Sequence, residues 1–520
     1  MRWHLSTEAR LFLTVWLVYS VHFATNITRE HYPAFSLIAH GTFQLDEYAG
    51  FHSDIFQHQD GHWYINNNVA TSVVAAVPLL VFNPALDALE ARSKSRLAQS
   101  DGPPDTTYRT KYPLRRRFFR LVKERGLDLR FGGAAFATSI FFMAPLSSLF
   151  VVLMFRILRQ RGVTNNRALW LALLFAFATP VFFRTAHLNH NMFVMYVTFA
   201  AFDLLWVRPE QKFPLSLGHR IGSGFLAGLS LAFDYSGVIS LLALYGYLWI
   251  VRLSTASWLR SGVESIGFVA GSMPAVGFLL WSQWVMFGNP FLPAQYWMPR
   301  VNYTDTGWRG FDWPAVDLFM RNLFDPAYGM FVFAPILLVG LIPARWYPAE
   351  TLLVPRREGR FVLIYSVLFL AFCASNQYAR MQWNTGFRML LPIVPFVYLA
   401  ASEHLARLPP NWLAALSVPC VLHCWVLSMV RDDAVESWRR VVSEGIQLPW
   451  LTVLRQTSRV ETWLLEGPLL PIVILAVCGL MIVGIWCIGK ARDRREDRRL
   501  PAHNAKFDRL VREASSQELS

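Results

Sequence analysis

The chain has 520 residues, 54% of them hydrophobic and 16% charged, against about 25% charged in ordinary soluble domains. Its formal net charge is +14 at pH 7, but Lys and Arg fall mostly in short loops between apolar runs, so the excess reads as membrane topology rather than nucleic-acid binding. This composition excludes a typical soluble domain and points to an all-α polytopic membrane protein.

In chain order, Met1–Arg10 is short and basic, and the apolar run behind it lacks a small-residue cleavage site, so no cleavable signal peptide is expected. Spans are expected near 11–25, 134–156, 168–186, 192–207, 221–236, 237–251, 263–287, 329–344, 361–376, 388–402, 412–430 and 468–488. That makes about twelve. The counts of Phe (40) and Trp (20) suit aromatic belts at two interfaces. Cys373, Cys420, Cys424, Cys478 and Cys487 all lie in apolar segments, without metal-type spacing or a disulfide framework.

The basic loops Arg156–Arg161, Arg208–Arg220, Arg252–Arg260 and Arg345–Arg360, with the tail from Lys490, define a cytoplasmic side that also holds the N-terminus. The apolar run Val69–Phe82 is ambiguous, because at ~1.5 Å per residue it reaches about 21 Å against a hydrocarbon core of ~30 Å. If it crossed, every later basic loop would move outside, so it is expected to lie at the outer interface or re-enter the membrane. Arg92–Arg130 then becomes an external loop with a flexible centre at Gly102-Pro103-Pro104.

The external face gathers the chemistry-bearing residues. The segment Asn26–Asn68 holds Glu30, Asp46, Glu47, Asp54 and Asp60, several His including His58 and His62, Tyr64, and a final Asn66-Asn67-Asn68. A carboxylate here would serve as general base on a hydroxyl, with a second polar group positioning it. Its apolar positions Phe35, Leu37 and Ile38 suit an interfacial helix. Farther on, Arg380 and Arg388 flank an expected helix start, where two guanidinium forks and a helix N-terminus would grip a phosphate. His187 and His190 have a spacing compatible with a metal, but with no carboxylate beside them they read as a polar turn. Asp234-Tyr235 ends a Gly-rich span whose glycines read as close helix packing. Asp203 is expected to be paired inside the bundle. The Trp and Tyr residues of Gly288–Tyr328 suit either sugar stacking or an interface. Asn26-Ile-Thr and Asn302-Tyr-Thr match the glycosylation sequon, a pattern common by chance.

Several short motifs occur in a familiar order: Gly41-Thr-Phe-Gln-Leu-Asp46-Glu-Tyr48, Gly61-His-Trp-Tyr-Ile-Asn66, Phe225-Leu-Ala-Gly-Leu-Ser-Leu-Ala-Phe-Asp234-Tyr235, Phe287-Gly-Asn-Pro-Phe291 and Gly386-Phe-Arg388-Met-Leu-Leu-Pro392. In this the chain resembles the bacterial GT-C glycosyltransferases, which include protein O-mannosyltransferases and the aminoarabinose transferase of lipid A. The likeness spreads over roughly residues 10–400. It implies a GT-C-like transmembrane catalytic module over 1–404, with an external loop at 27–133, followed by C-terminal helices with an external loop over 405–489 and a basic cytoplasmic tail at 490–520.

The resemblance further implies an inner-membrane enzyme that takes a sugar from a polyprenyl-phosphate donor to an envelope glycan, lipid or protein on the external side. Glu30 would be the catalytic carboxylate, with Arg29 before it where many members carry an Asp-Glu pair. Asp54 and Asp46 are its rivals. Arg388, with Arg380, would hold the donor phosphate. His58, His62, Tyr64, Asn67 and Asn68 would line the substrate site, and Asn67-Asn68 stand where members often carry Lys. No cofactor is implied with certainty, and a divalent metal would be compatible with the scheme. Two other classes fit the same composition: a lipid or glycan transporter, and a catalytically inactive scaffold related to the enzymes.

Overall fold

The computed structural model describes residues 5–99, 113–206, 215–253, 258–381, 386–457 and 468–488. The Gly102-Pro103-Pro104 segment and the tail from Lys490 lie outside these described residues. The chain is almost wholly helical. Its first half comprises α1 (Thr7–Val21), α2 (His31–His40), the strands β1 (Ile55–Gln57) and β2 (Trp63–Ile65), α3 (Ala70–Ala98), α4 (Pro113–Glu124), α5 (Asp128–Thr138), α6 (Ala144–Gln160), α7 (Asn165–Phe177), α8 (Pro180–Thr185), α9 (His190–Leu205), α10 (Leu217–Phe233), α11 (Gly237–Leu253) and α12 (Trp258–Phe287). The second half adds α13 (Ala294–Trp297), α14 (Val316–Phe324), α15 (Met330–Phe333), α16 (Arg356–Ser375), α17 (Val394–Leu405), α18 (Pro410–Val430), α19 (Ala434–Glu444), α20 (Pro449–Thr457) and α21 (Leu469–Cys487).

This is an all-α membrane protein, with fewer long helices than the apolar runs suggest. Six helical stretches are long and apolar enough to cross a bilayer: 70–98, 128–160, 261–287, 356–375, 410–430 and 469–487. The segments 190–205, 237–250 and 391–405 are apolar but shorter. Two expected spans are broken. The run 168–186 divides between α7 and α8, where the Thr179 side chain caps Val181 N–H and Pro180 opens the next helix. The run 329–344 becomes α15 and a 3₁₀ turn, Pro335–Leu341, whose Gly340 lies against the Val397 carbonyl of α17.

The helix α3 is 29 residues long, twice the apolar run that seeds it. It lies antiparallel to α5: Phe82 meets Phe141 at 5.1 Å, Leu86 and Leu89 flank Gly133, and Ser93 bonds Asp128. A π-turn at Ser139–Met143 joins α5 to α6. Along that continuous stretch, Arg156 pairs with Glu8 at the start of α1, Ile140 accepts from Trp16, and Phe136 meets Phe23 just past the end of α1. The α3–α5 pair therefore overhangs the end of the bundle where α1 finishes.

The large core fills the bundle around α1, α6–α11 and α16–α18. In it, Gly224 and Gly228 of α10 let the backbone of α12 approach so closely that a Cβ at either would strike a carbonyl. These glycines serve packing. A second, smaller core lies under the first loop, where Tyr32, Phe35, Phe43, Tyr48, Phe51 and Phe131 pack together. The segment after α1 is thus a folded cap with its own apolar interior, where a merely solvated loop would bury little.

Candidate active site

The cap returns to the bundle at one end. Ala24 N–H donates to Ala186 O at 2.8 Å, tying the chain beyond α1 to the α8–α9 turn. Glu30 occupies the N-cap position of α2, where the helix dipole favours a carboxylate. Asp54 is set just before β1, with Asn66 N–H donating to its backbone carbonyl at 2.8 Å. His190 opens α9 after the capping residue Asn189, and Asp234 closes α10.

These residues meet. His190 Nδ1 donates to Glu30 Oε1 at 2.5 Å. On the other side of the ring, Nε2 faces Asn191 Nδ2 at 3.1 Å, Arg29 Nη2 at 3.3 Å and Asp234 Oδ2 at 3.4 Å. Arg29 donates to Asp54 Oδ2 at 2.6 Å and approaches Glu30 Oε1 at 3.5 Å. Glu30 is 3% exposed and Asp54 7%. Beyond Asp54, His52 Nδ1 lies 3.9 Å from its carboxylate. Arg388 donates to Tyr378 Oη at 2.5 Å, and its charge reaches Asp54.

Burial alone would raise the Glu30 pKa. The His190 hydrogen bond and the charges of His190 and Arg29 outweigh it and hold the carboxyl well below the usual range. For Asp54, burial is likewise overcome, here by His52, Arg29 and Arg388, so its pKa is also lowered. Burial lowers His52, and Arg29 and Arg388 lower it further against the pull of Asp54 and Glu30. Both carboxylates are ionised at neutral pH and able to accept a proton. The low basicity of Glu30 suits holding His190 in one orientation as well as it suits direct proton transfer.

Of the candidate catalytic and substrate-binding residues named from the sequence, Glu30 and Asp54 meet through Arg29, and the charge of Arg388 reaches Asp54. The other candidates make their contacts elsewhere. Asp46 accepts from His62 Nδ1 at 2.8 Å and from Trp63 N–H at 2.8 Å, on an exposed edge of the hairpin. Tyr64 Oη donates to Asp60 at 2.9 Å, and His58 stacks edge-on against Phe287 and Trp297. Arg380 forms a two-pronged pair with Asp317 at 2.5 and 3.1 Å on the surface. Asn67 and Asn68 are buried, and Asn68 Nδ2 donates to Leu231 O at 3.0 Å, so Asn68 joins cap to bundle.

Sequence reading passed over three members. Arg29 was noted only as a departure from a motif, His190 as part of a turn, and Asp234 as a helix end. Their partners lie far away in sequence, 160 residues for Glu30 and His190, and no local pattern reports such a pairing. The His187–His190 pair divides: His187 faces Arg431 and His190 faces Glu30. Among the described residues, no group of three or more His, Cys, Asp or Glu is arranged to hold a metal ion. Asp203 has an interaction partner. Comparison with protein-family models, with curated proteins and with solved structures gave no match.

Proposed function

We propose that the chain is a membrane glycosyltransferase that moves a sugar from a polyprenyl-phosphate donor to a hydroxyl of an envelope glycan, lipid or protein, at the end of the bundle covered by the cap. One observation carries the reading: two buried, ionised carboxylates of the cap are gathered at this end, Glu30 bonded to His190 and Asp54 joined to it through Arg29, with Arg388 within electrostatic reach of Asp54. The acceptor oxygen attacks the anomeric carbon, the bond from that carbon to the phosphate oxygen breaks with inversion, and the phosphate departs on its lipid. The acceptor proton goes to Asp54 or to the Glu30–His190 unit, an effect worth about 10²–10⁴-fold. Arg388 stabilises the charge that gathers on the leaving phosphate. The motif resemblance named above supplies the donor class.

A second reading has an observation in its favour. Asn67 and Asn68, where related enzymes often carry Lys, are buried, and Asn68 bonds the Leu231 carbonyl of the bundle. A catalytically inactive relative that acts as an envelope scaffold would look the same. Purified protein incubated with radiolabelled polyprenyl-phosphate sugars and a cell-envelope extract separates the two. The transferase reading expects label in the acceptor, lost in Glu30→Gln and Asp54→Asn. Absence of transfer with every donor supports the scaffold.

A further inference from the structure

The carboxylate cluster already occupies its nearest arginine, since Arg29 lies between Asp54 and Glu30. Beside it, past His187, is a second cluster of opposite sign. Arg184, in the last turn of α8, is 2% exposed, and Arg431, the residue after α18, is 8% exposed. Arg184 Nη2 donates to Gly386 O. Arg431 Nη1 donates to Phe183 O at 2.7 Å, and its Nη2 meets His187 Nδ1 at 2.7 Å. Burial first, then Arg431 and Arg184, keep the His187 ring well below the usual imidazole range, so it is neutral and accepts from Arg431. The charges of Arg431 and Arg388 reach Arg184, and that of Arg115 reaches Arg431.

Carbonyls and a neutral imidazole satisfy N–H groups without cancelling charge. Among the described residues, neither Arg184 nor Arg431 has a carboxylate in ion-pair contact, and the Nε atom of each is buried with no hydrogen-bond partner. A buried lysine or histidine in this position would shed its proton, which arginine cannot do. Two adjacent, buried guanidinium groups therefore call for an anion that the described residues do not provide. Arg431 carries an independent mark. Its φ is +61°, in the left-handed region that side chains other than Gly, Asn and Asp seldom adopt. Such conformations persist where the surroundings hold them, and they gather at ligand clamps.

We propose that Arg184 and Arg431, with Arg388 near them, form a buried binding site for a phosphate-class oxyanion. Arg184 and Arg431 each present a buried Nε–H without a hydrogen-bond partner, and together the two forks suit the oxygens of a phosphate. The anion is either the headgroup of a prenyl phosphate or free phosphate, since both offer the same oxygens. The first source rests on the transferase reading and deepens it. The site then has a carboxylate half for the acceptor hydroxyl and a guanidinium half for the leaving phosphate.

The test uses the full chain purified in detergent, titrated with inorganic phosphate and with a short-chain prenyl phosphate, and followed by calorimetry and thermal shift. Both probes are expected to bind, to compete with each other, and to weaken as salt rises. Arg431→Gly is the informative variant, because glycine accepts the left-handed cap and keeps the fold. It should weaken binding by roughly 10-fold or more, as should Arg184→Gln, while Arg439→Ala on the surface should not. If Arg184→Gln does not fold, Arg431→Gly decides. Absence of binding by the wild type, or binding unchanged in Arg431→Gly, overturns the proposal. A much higher affinity for the prenyl phosphate assigns a lipid headgroup, and equal affinities assign free phosphate. Arginine-dependent binding without sugar transfer from any donor would keep this site and remove the transferase reading. Transfer without such binding would do the opposite.

Discussion

Glu30 Oε1 accepts a hydrogen bond from His190 Nδ1 at 2.5 Å, and this contact joins the cap to the first residue of α9. Glu30→Gln keeps the shape and an acceptor oxygen but removes the charge that faces Arg29 and His190. Sugar transfer should fall by about 10²–10⁴-fold, and the melting temperature should fall too, because the buried charges of Arg29 and His190 lose their counter-charge. Glu30→Ala also leaves the buried Arg29 and His190 short of a partner, which costs about 1–3 kcal/mol of stability. Transfer rates and thermal melts of both variants check this, and normal transfer by Glu30→Gln would remove Glu30 from the mechanism.

Asp54 and Asp46 give a sharper contrast. Both are cap carboxylates, but Asp54 is buried against Arg29, and Asp46 pairs with His62 on an exposed edge. Asp54→Asn should lower transfer by about 10²-fold or more. Asp46→Asn should leave it within a few-fold, because an exposed pair of this kind contributes little. The reverse ranking in initial-rate assays would move the site to the hairpin.

How much of this was legible in the sequence differs by level. The membrane class followed from composition alone. The cap was visible as a concentration of carboxylates, and Glu30, Asp54 and Arg388 stood out as polar residues at an apolar boundary. The broken helices were not foreseen, because hydropathy does not register that Pro180 and Pro335 punctuate apolar runs. The length of α3 was missed for a related reason: residues 83–98 are polar but rich in Ala, Leu, Glu, Lys and Arg, which favour helix. The roles of His190, Asp234 and Arg431 depend on contacts between distant helices. A hint did exist for Arg184, an arginine near the end of an apolar run, where charge is costly unless it has a function.

The pH dependence of stability has two windows with the same sign. His31 is buried, with Nδ1 accepting from Thr28 N–H at 3.1 Å and Nε2 meeting Thr138 Oγ1 at 3.1 Å. Burial lowers its pKa to about 4, against a smaller upward pull from Glu30. Below pH ~6.5 the unfolded chain takes up a proton that the folded ring refuses, so stability falls until about pH 4, by up to about 3 kcal/mol. His52 and His187, also lowered, act in the same window. Glu30 and Asp54 are lowered carboxylates, so their contribution is present above pH ~4 and is lost as pH falls further. Thermal melts between pH 8 and pH 4 should show this decline, with a shallower slope for His31→Asn. An equal slope in the variant would show that His31 does not titrate as described.

Gly386 links the two halves of the site. Its φ is +74°, and a Cβ there would strike the Phe333 ring, while its carbonyl receives Arg184. Gly386→Ala should therefore cost about 2–4 kcal/mol from the left-handed conformation and the overpacking together. Anion binding should weaken with it, since the carbonyl that fixes Arg184 would shift. Thermal shift with and without phosphate measures both effects, and a variant as stable as wild type would contradict the geometry.

The direction of α3 decides on which side of the membrane the cap lies relative to the basic loops. From Arg156 beside Glu8, through Ile140 beside Trp16, to Phe136 beside Phe23, the α5–α6 stretch climbs toward the site end, and Asp128 continues past it to meet Ser93. Ser95 and Ser53 are both exposed and should share one side of the membrane. Ser216, exposed at the start of α10, stands at the other end of a helix whose last residues lead to Asp234, about 26 Å away at ~1.5 Å per residue. Single cysteines at these positions, with Cys487 replaced because it is an exposed free thiol, should label with a membrane-impermeant maleimide from the outside at 53 and 95, and only after permeabilisation at 216. Labelling of positions 53 and 216 from the outside, with 95 reached only after permeabilisation, would mean that α3 crosses the membrane, and every basic loop after it would then face outward, against the charge asymmetry that the loops carry.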